Sequence, residues 1–231
     1  MLSSNRAKDL NTRRENSISG STPGTPAPLL LRVGFWACTL IAVAVVVRRL
    51  VAFGFPSPSG PPQMVQLDRV FASHSALTLA HILPAMAFVV LTPFALSRRF
   101  PHLHWPERWL FPLGGIVGIT AYAMSVYSVG GWIERSAVLF YNSLFLFSLG
   151  QAWLYKMRDQ SWMKSRWLVR AIAVLLGIAT TRPVMGVFFA TSSITHLAPR
   201  QFFGYAFWVG FSINWVVVET YLRFKSRPQL A

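Results

Sequence analysis

Residues 72–96 read ASHSALTLAHILPAMAFVVLTPFAL, twenty-five positions without an Asp, Glu, Lys or Arg, and the stretch is closed by Arg98 and Arg99. A hydrocarbon core about 30 Å thick is crossed by roughly 20 mostly apolar residues rising 1.5 Å each. This stretch alone is therefore long enough to cross a bilayer as a helix. Five further runs of similar character flank it. Together they predict six spans, at about 29–47, 72–96, 109–130, 136–155, 167–191 and 201–222, in an all-α polytopic transmembrane helix bundle. The composition agrees: 53% of the 231 residues are hydrophobic and 13% charged, where soluble domains carry about a quarter charged.

The first 28 residues are rich in Ser, Thr, Asn, Gly and Pro, too polar to bury enough surface to order themselves, and read as a disordered cytoplasmic tail. A long polar stretch precedes the first apolar run, and no small-residue cleavage site follows it before Arg48, so that run reads as an uncleaved anchor. Arg32, Arg48 and Arg49 are long enough to snorkel from its ends to the headgroups. Residues 224–231 form a short C-terminal tail.

A formal net charge of +15 would point to nucleic acid in a soluble protein. Here topology explains it better, and no nucleic-acid partner is expected. With the six spans in place, sixteen of the twenty-two Lys and Arg fall on one side: the N-terminal tail with Arg32, the turn with Arg98, Arg99 and Arg108, the loop from Lys156 to Arg170, and the C-terminus. Five fall on the other side, and Arg182 lies within a span. The positive-inside rule then puts both termini in the cytoplasm. Trp105, Trp109, Trp153, Trp162 and Trp167 all fall near that interface, where an indole can be half wet and half apolar. Cys38 is the single cysteine, which excludes an intramolecular disulfide, a thiolate zinc site and a CxxC redox pair.

Ionisable groups at membrane depth cost at least about 2.5–3.5 kcal/mol on insertion scales, so each needs a partner or a task. On the second span His74, Thr78 and His81 share one helical face, and Pro84 frees the carbonyl of Ala80 one turn away. His81 is thus a candidate ligand for haem or metal or a proton-relay group, or else a neutral histidine bonded to a neighbouring helix; His74 lies nearer the outer interface. Arg182 keeps its charge at any working pH. It sits in the outer half of the fifth span beside Thr180, Thr181 and Pro183, at a depth not far from that of His81. It reads either as an anchor for an anionic or carbonyl-bearing ligand or as a structural pin. Glu219 is the one acid inside a predicted span, and Arg166, Arg170 or Arg108 would pair with it at similar depth, a structural ion pair of which Glu219–Arg170 is one form. Tyr205, Ser212 and Glu219 recur every seven residues and predict a face turned into the bundle. Gly114-x-x-x-Gly118, continued by Tyr122 and Ser125, predicts a close-packed seam.

The order His81-Ile82, then Leu103-His104 before the next span, then Trp162-Met163-x-x-Arg166 before another, then Arg182 late in that span, resembles the bacterial membrane proteins grouped as domain of unknown function number 2306. The similarity covers about residues 72–223, and the Trp-Met-x-x-Arg element is its most distinctive part. The chain departs from the pattern twice. Asp159 stands where the family usually has a histidine three residues before Trp-Met, and Trp105 stands where it has an arginine after Leu-His. If the family's histidines form a ligand set, with His104 among them, this member lacks one. The resemblance implies a multi-helix protein of the bacterial inner membrane and carries no established reaction.

No catalytic constellation or metal-ligand set emerges: no acid lies at the depth of His74 or His81 to complete a hydrolytic triad, and there is no P-loop. The candidate ligand-binding residues are His81, Arg182, His74 and His104, with the cofactor unassigned. The function expected is a multi-pass membrane protein binding a small ligand or cofactor between helices near His81 and Arg182. The alternatives are a haem- or quinone-linked redox protein or a small secondary transporter, the latter suggested by Pro84 and Pro183 in the second and fifth spans. Membrane lipid is an expected partner, through basic cytoplasmic loops, and a protein partner or homo-oligomer is open.

Overall fold

The computed structural model describes residues 29–55, 69, 71–96, 105–191, 194, 196 and 199–225. The expected tail at 1–28, most of the C-terminal tail, and Arg98, Arg99 and His104 lie outside them. Among the described residues all regular structure is helical: α1 Leu29–Gly54, α2 Ser75–Leu96, α3 Trp105–Ser125, α4 Gly131–Met157, α5 Ser161–Ala190 and α6 Pro199–Lys225. Five of the six, α1, α2, α4, α5 and α6, are long and apolar enough to cross a membrane. Helix α3 falls short of that apolarity. Its first turn holds Glu107, Pro112 lies within it, and Gly114, Gly115 and Gly118 follow.

The helices overrun the apolar runs because amphipathic residues extend them. Helix α5 starts at Ser161, six residues before Trp167, since Trp162, Lys164 and Arg166 are good helix formers that also suit an interface. Helix α4 starts at Gly131 instead of Ser136, with Glu134 in its first turn, where a carboxylate meets the positive end of the helix. Helix α3 stops at Ser125, short of Gly130, and a turn of 3₁₀-like bonds such as Tyr127 N to Met124 O (3.0 Å) follows. Pro84, Pro93, Pro112 and Pro183 all sit inside helices that continue through them.

The α4–α5 turn is sharp because Asp159 takes φ 53°. Gln160 N bonds Tyr155 O (3.0 Å) and Asp159 N bonds Lys156 O (3.2 Å), the paired bonds of a Schellman end with Asp159 in the left-handed position usually given to glycine. Asp159 therefore has a conformational task in this turn.

The compact unit begins at Trp36, and the contacts below lie within it. Helix α5 packs along α6 and α4, α2 along α3, and α4 also against α3 and α6. Close approaches need missing side chains at several glycines, Gly118 and Gly210 among them. A Cβ on Gly118 would press into the Leu146 side chain, and one on Gly210 would lie 2.7 Å from the backbone nitrogen of Thr181. Small residues let membrane helices approach this closely. Helix α1 is the least engaged: about 11% of its apolar window is buried, against 39% for α4, α5 and α6. One expected inward face is only partly so. Ser212 bonds Tyr141 and Glu219 binds Arg170, whereas Tyr205 is 45% exposed.

Candidate functional site

A cavity of about 260 Å³ runs between the helices, and both His81 and Arg182 line it. Arg182 lies eight residues before the end of α5, about 12 Å along the axis at 1.5 Å per residue. His81 is six residues, about 9 Å, from the start of α2. Glu134, in the first turn of α4, and Arg49, five residues before the end of α1, also line the cavity. Tyr127, Ser128 and Val129 line the same cavity, so these four positions belong to the end of the bundle that carries the 126–130 turn.

His81 is held from α3. Its Nδ1 shares a 2.9 Å hydrogen bond with Thr120 Oγ1, the donor being set by the tautomer of the ring, and that hydroxyl also lies within reach of the carbonyls of Ile116 (2.7 Å) and Val117 (3.1 Å). Asn142 on α4 anchors the same wall, its amide donating to the carbonyl of Gly118 (2.9 Å). On the opposite wall Tyr141 shares a 2.6 Å bond with Ser212 and stacks on Phe211 (ring centroids 5.2 Å apart). Phe203, Phe207 and Phe211, one turn apart on α6, make an apolar surface.

Electrostatics dominate the Arg182 end. Arg182 is within electrostatic range of Arg49, Arg48 and Glu134, of which Arg49 and Glu134 line the cavity with it. The carboxylate is already engaged, because Glu134 Oε2 accepts the backbone N–H of Gly130 and Val129 N–H also bonds the side chain. Arg182 Nε is buried without a hydrogen-bond partner, and among the described residues Nη1 donates to Met185 Sδ at 4.0 Å. Arg49 turns inward instead of snorkelling to the headgroups: it is 8% exposed, with its guanidinium 4.1 Å from the centre of the Phe71 ring. Cation–π contact with Phe71 and the shelter of the cavity mouth keep it there.

The other candidates are elsewhere. His74 does not line the cavity; it bonds Ser73 Oγ (3.0 Å) and lies against Tyr127 with ring centroids 3.8 Å apart. His104 falls outside the described residues. Glu219 and Arg170 meet at the opposite end in a two-point contact of 2.9 and 3.3 Å, and Arg223 adds a third bond at 3.2 Å. At that end too, Glu107 binds Lys164 (3.0 Å) and Lys156 (3.3 Å). Burial opposes ionisation of Glu107, but the hydrogen bonds and charges of Lys164 and Lys156 outweigh it and hold the carboxyl below the usual range.

Reading by residue type alone missed Glu134 and Arg49. Glu134 lies before the fourth apolar run and so reads as loop, and Arg49 reads as a boundary arginine. Chemically the cavity offers guanidinium donors, an imidazole and aromatic walls, a set suited to holding a ligand. Among the described residues no group of three or more His, Cys, Asp or Glu is placed to hold a metal ion. Neither a protein-family model nor a curated protein nor a solved structure matches this chain, so the site is read from its own chemistry.

Proposed function

We propose that this chain is a six-span protein of the bacterial inner membrane, with both termini cytoplasmic, that binds a small molecule between its helices in the outer half of the bilayer. The resemblance to domain of unknown function number 2306 suits that architecture, as does the distribution of Lys and Arg. One observation carries the binding reading: His81 and Arg182, from different helices, line one cavity in which the guanidinium Nε has no protein partner. A charged donor buried without an acceptor is costly, and a ligand oxygen would satisfy it. A volume of about 260 Å³ suits a small ligand or the head and first carbons of a longer one.

The test is to purify the chain in a mild non-ionic detergent and identify what is released on denaturation, by mass spectrometry and absorbance spectroscopy. The comparison is Ala121→Phe, which fills the cavity from α3. One compound stoichiometric with wild type and lost from the variant is expected. A Soret band would name haem, and a quinone spectrum would name the redox alternative. Equal recovery from both proteins, or none from a folded wild type, would overturn the proposal.

A further inference from the structure

We infer that a second site, at the opposite end of the bundle, holds the head of an anionic phospholipid, a phosphodiester with one negative charge and no cation of its own. The inference rests on the membrane placement proposed above and not on the ligand of the His81–Arg182 cavity. Here the start of α3, the end of α4, the 158–160 turn and the start of α5 surround a polar cavity of about 350 Å³, lined by Glu107, Arg108, Lys156, Asp159, Ser161 and Lys164. Three bases against two acids leave this lining with a net charge of +1. The excess has a fixed position, because two ammonium groups share one carboxylate: Lys164 Nζ lies 3.0 and 3.2 Å from the two oxygens of Glu107, and Lys156 Nζ lies 3.3 Å from one of them.

The two lysines are also prepared to receive an anion. Each ammonium has three N–H donors, and Glu107 takes at most two from Lys164 and one from Lys156, so donors remain for phosphate oxygens. Lys156 is further held over the rings of Phe111 (5.0 Å) and Trp153 (5.6 Å). A side chain already fixed by these contacts loses little more freedom when a ligand arrives. The surroundings favour a lipid over a free phosphate. Trp109, Trp153, Met157 and Trp162 are exposed, and Trp109, Met157 and Trp162 adjoin Arg108, Lys156 and Ser161 in the chain. Acyl chains would cover such a surface at a membrane interface, and basic pockets between helix ends attract anionic heads there.

Native mass spectrometry of the chain in non-ionic detergent, titrated with phosphatidylglycerol or with phosphatidylcholine of the same acyl chains, tests this. Phosphatidylglycerol is expected to bind at least about fivefold more tightly, the factor for one basic residue near a membrane surface. That ratio is read on wild type and needs no variant to fold. Asp159→Asn keeps a residue type that tolerates the left-handed turn and adds one positive charge to the lining, so it is expected to tighten phosphatidylglycerol binding by about fivefold. Arg108→Gln is expected to weaken it by a similar factor. Arg223→Gln removes one positive charge at the same end but outside the cavity; an effect as large as that of Arg108→Gln would assign binding to diffuse surface charge and overturn the inference. Glycerol 3-phosphate at millimolar concentration is expected not to displace the lipid, and displacement would overturn the choice of a lipid. Equal binding of the two lipids would overturn the anionic head. Membrane placement is read separately: resistance of the chain to carbonate extraction would uphold it even then, whereas release would bring down both.

Discussion

Gly210→Ala is the sharpest structural perturbation available, because its effect follows from one contact. A methyl there would sit 2.7 Å from the nitrogen and 2.8 Å from the Cα of Thr181. Those atoms are backbone and cannot rotate aside. Reaching an ordinary contact distance of 3.4 Å requires α5 and α6 to part by about 0.7 Å at their crossing. These two helices share the most extensive packing in the bundle, so we expect an overpacking cost of about 1–3 kcal/mol. Gly115→Ala is the control: a Cβ there meets nothing within 4 Å, and the change removes a flexible residue from a helix, worth about 0.5–1 kcal/mol in the stabilising direction. Unfolding both proteins with increasing SDS in mixed micelles, followed by circular dichroism, gives the difference directly. Gly210→Ala should be the less stable by about 1–3 kcal/mol, since the helix gain is common to both variants. Thr181 adjoins Arg182, so ligand retention should fall with it. Equal stability of the two variants would refute the close crossing.

Four further outcomes are expected. In double-mutant cycles Arg170 and Glu219, whose side chains are 13% and 21% exposed, should couple by about 1–3 kcal/mol, whereas Arg223, at 78% exposure, should add no more than about 0.5 kcal/mol; equal couplings would count against the inner placement of Arg170. Asp159→Gly should be neutral or stabilising by up to about 1 kcal/mol and Asp159→Val destabilising by about 1–2 kcal/mol, measured by thermal unfolding; similar values for both would remove the left-handed turn. Glu107 has a folded-state pKa below its ordinary 4.5, so its contribution to stability is present above that ordinary value and is lost as pH falls through the lower folded one. Unfolding midpoints should therefore decline on acidification below about pH 4.5, and less steeply in Glu107→Gln; identical profiles would show that the ion pairs do not form. Thr120→Val removes the partner that orients His81 and should weaken ligand retention without lowering the melting temperature by more than a few degrees; unchanged retention would leave His81 as a wall residue only.

The helices were legible because each long apolar run has one physical solution in lipid, and residues 72–96 alone demand it. Helix ends were less so. Trp162, Lys164 and Arg166 extend α5 past the apolar run, and nothing in their hydropathy separates an interfacial helix turn from a loop. Counting depth along the spans brought His81 and Arg182 to similar levels, and the two line one cavity. Glu134 and Arg49 join them through the way α1 and α4 are rotated, which one sequence does not reveal. One signal was available for Glu134: a carboxylate four residues after Gly130 can reach back to the amides ahead of a helix. For Arg49 there was none, since Arg48 and Arg49 are adjacent and only one turns inward. Asp159 was read against a family pattern as an absent histidine, while its role in the chain is to end α4.

The cavity has an outer-leaflet ligand only if the 126–130 and 158–160 turns lie on opposite sides of the membrane. Single cysteines at Ser128 and Gln160 in a Cys38→Ser background, reacted with a membrane-impermeant maleimide on spheroplasts before and after lysis, measure this directly. Labelling of Ser128→Cys on intact spheroplasts, with Gln160→Cys labelled only after lysis, is the expected result. Labelling of both turns from the same side, or of Gln160→Cys alone from outside, would contradict it.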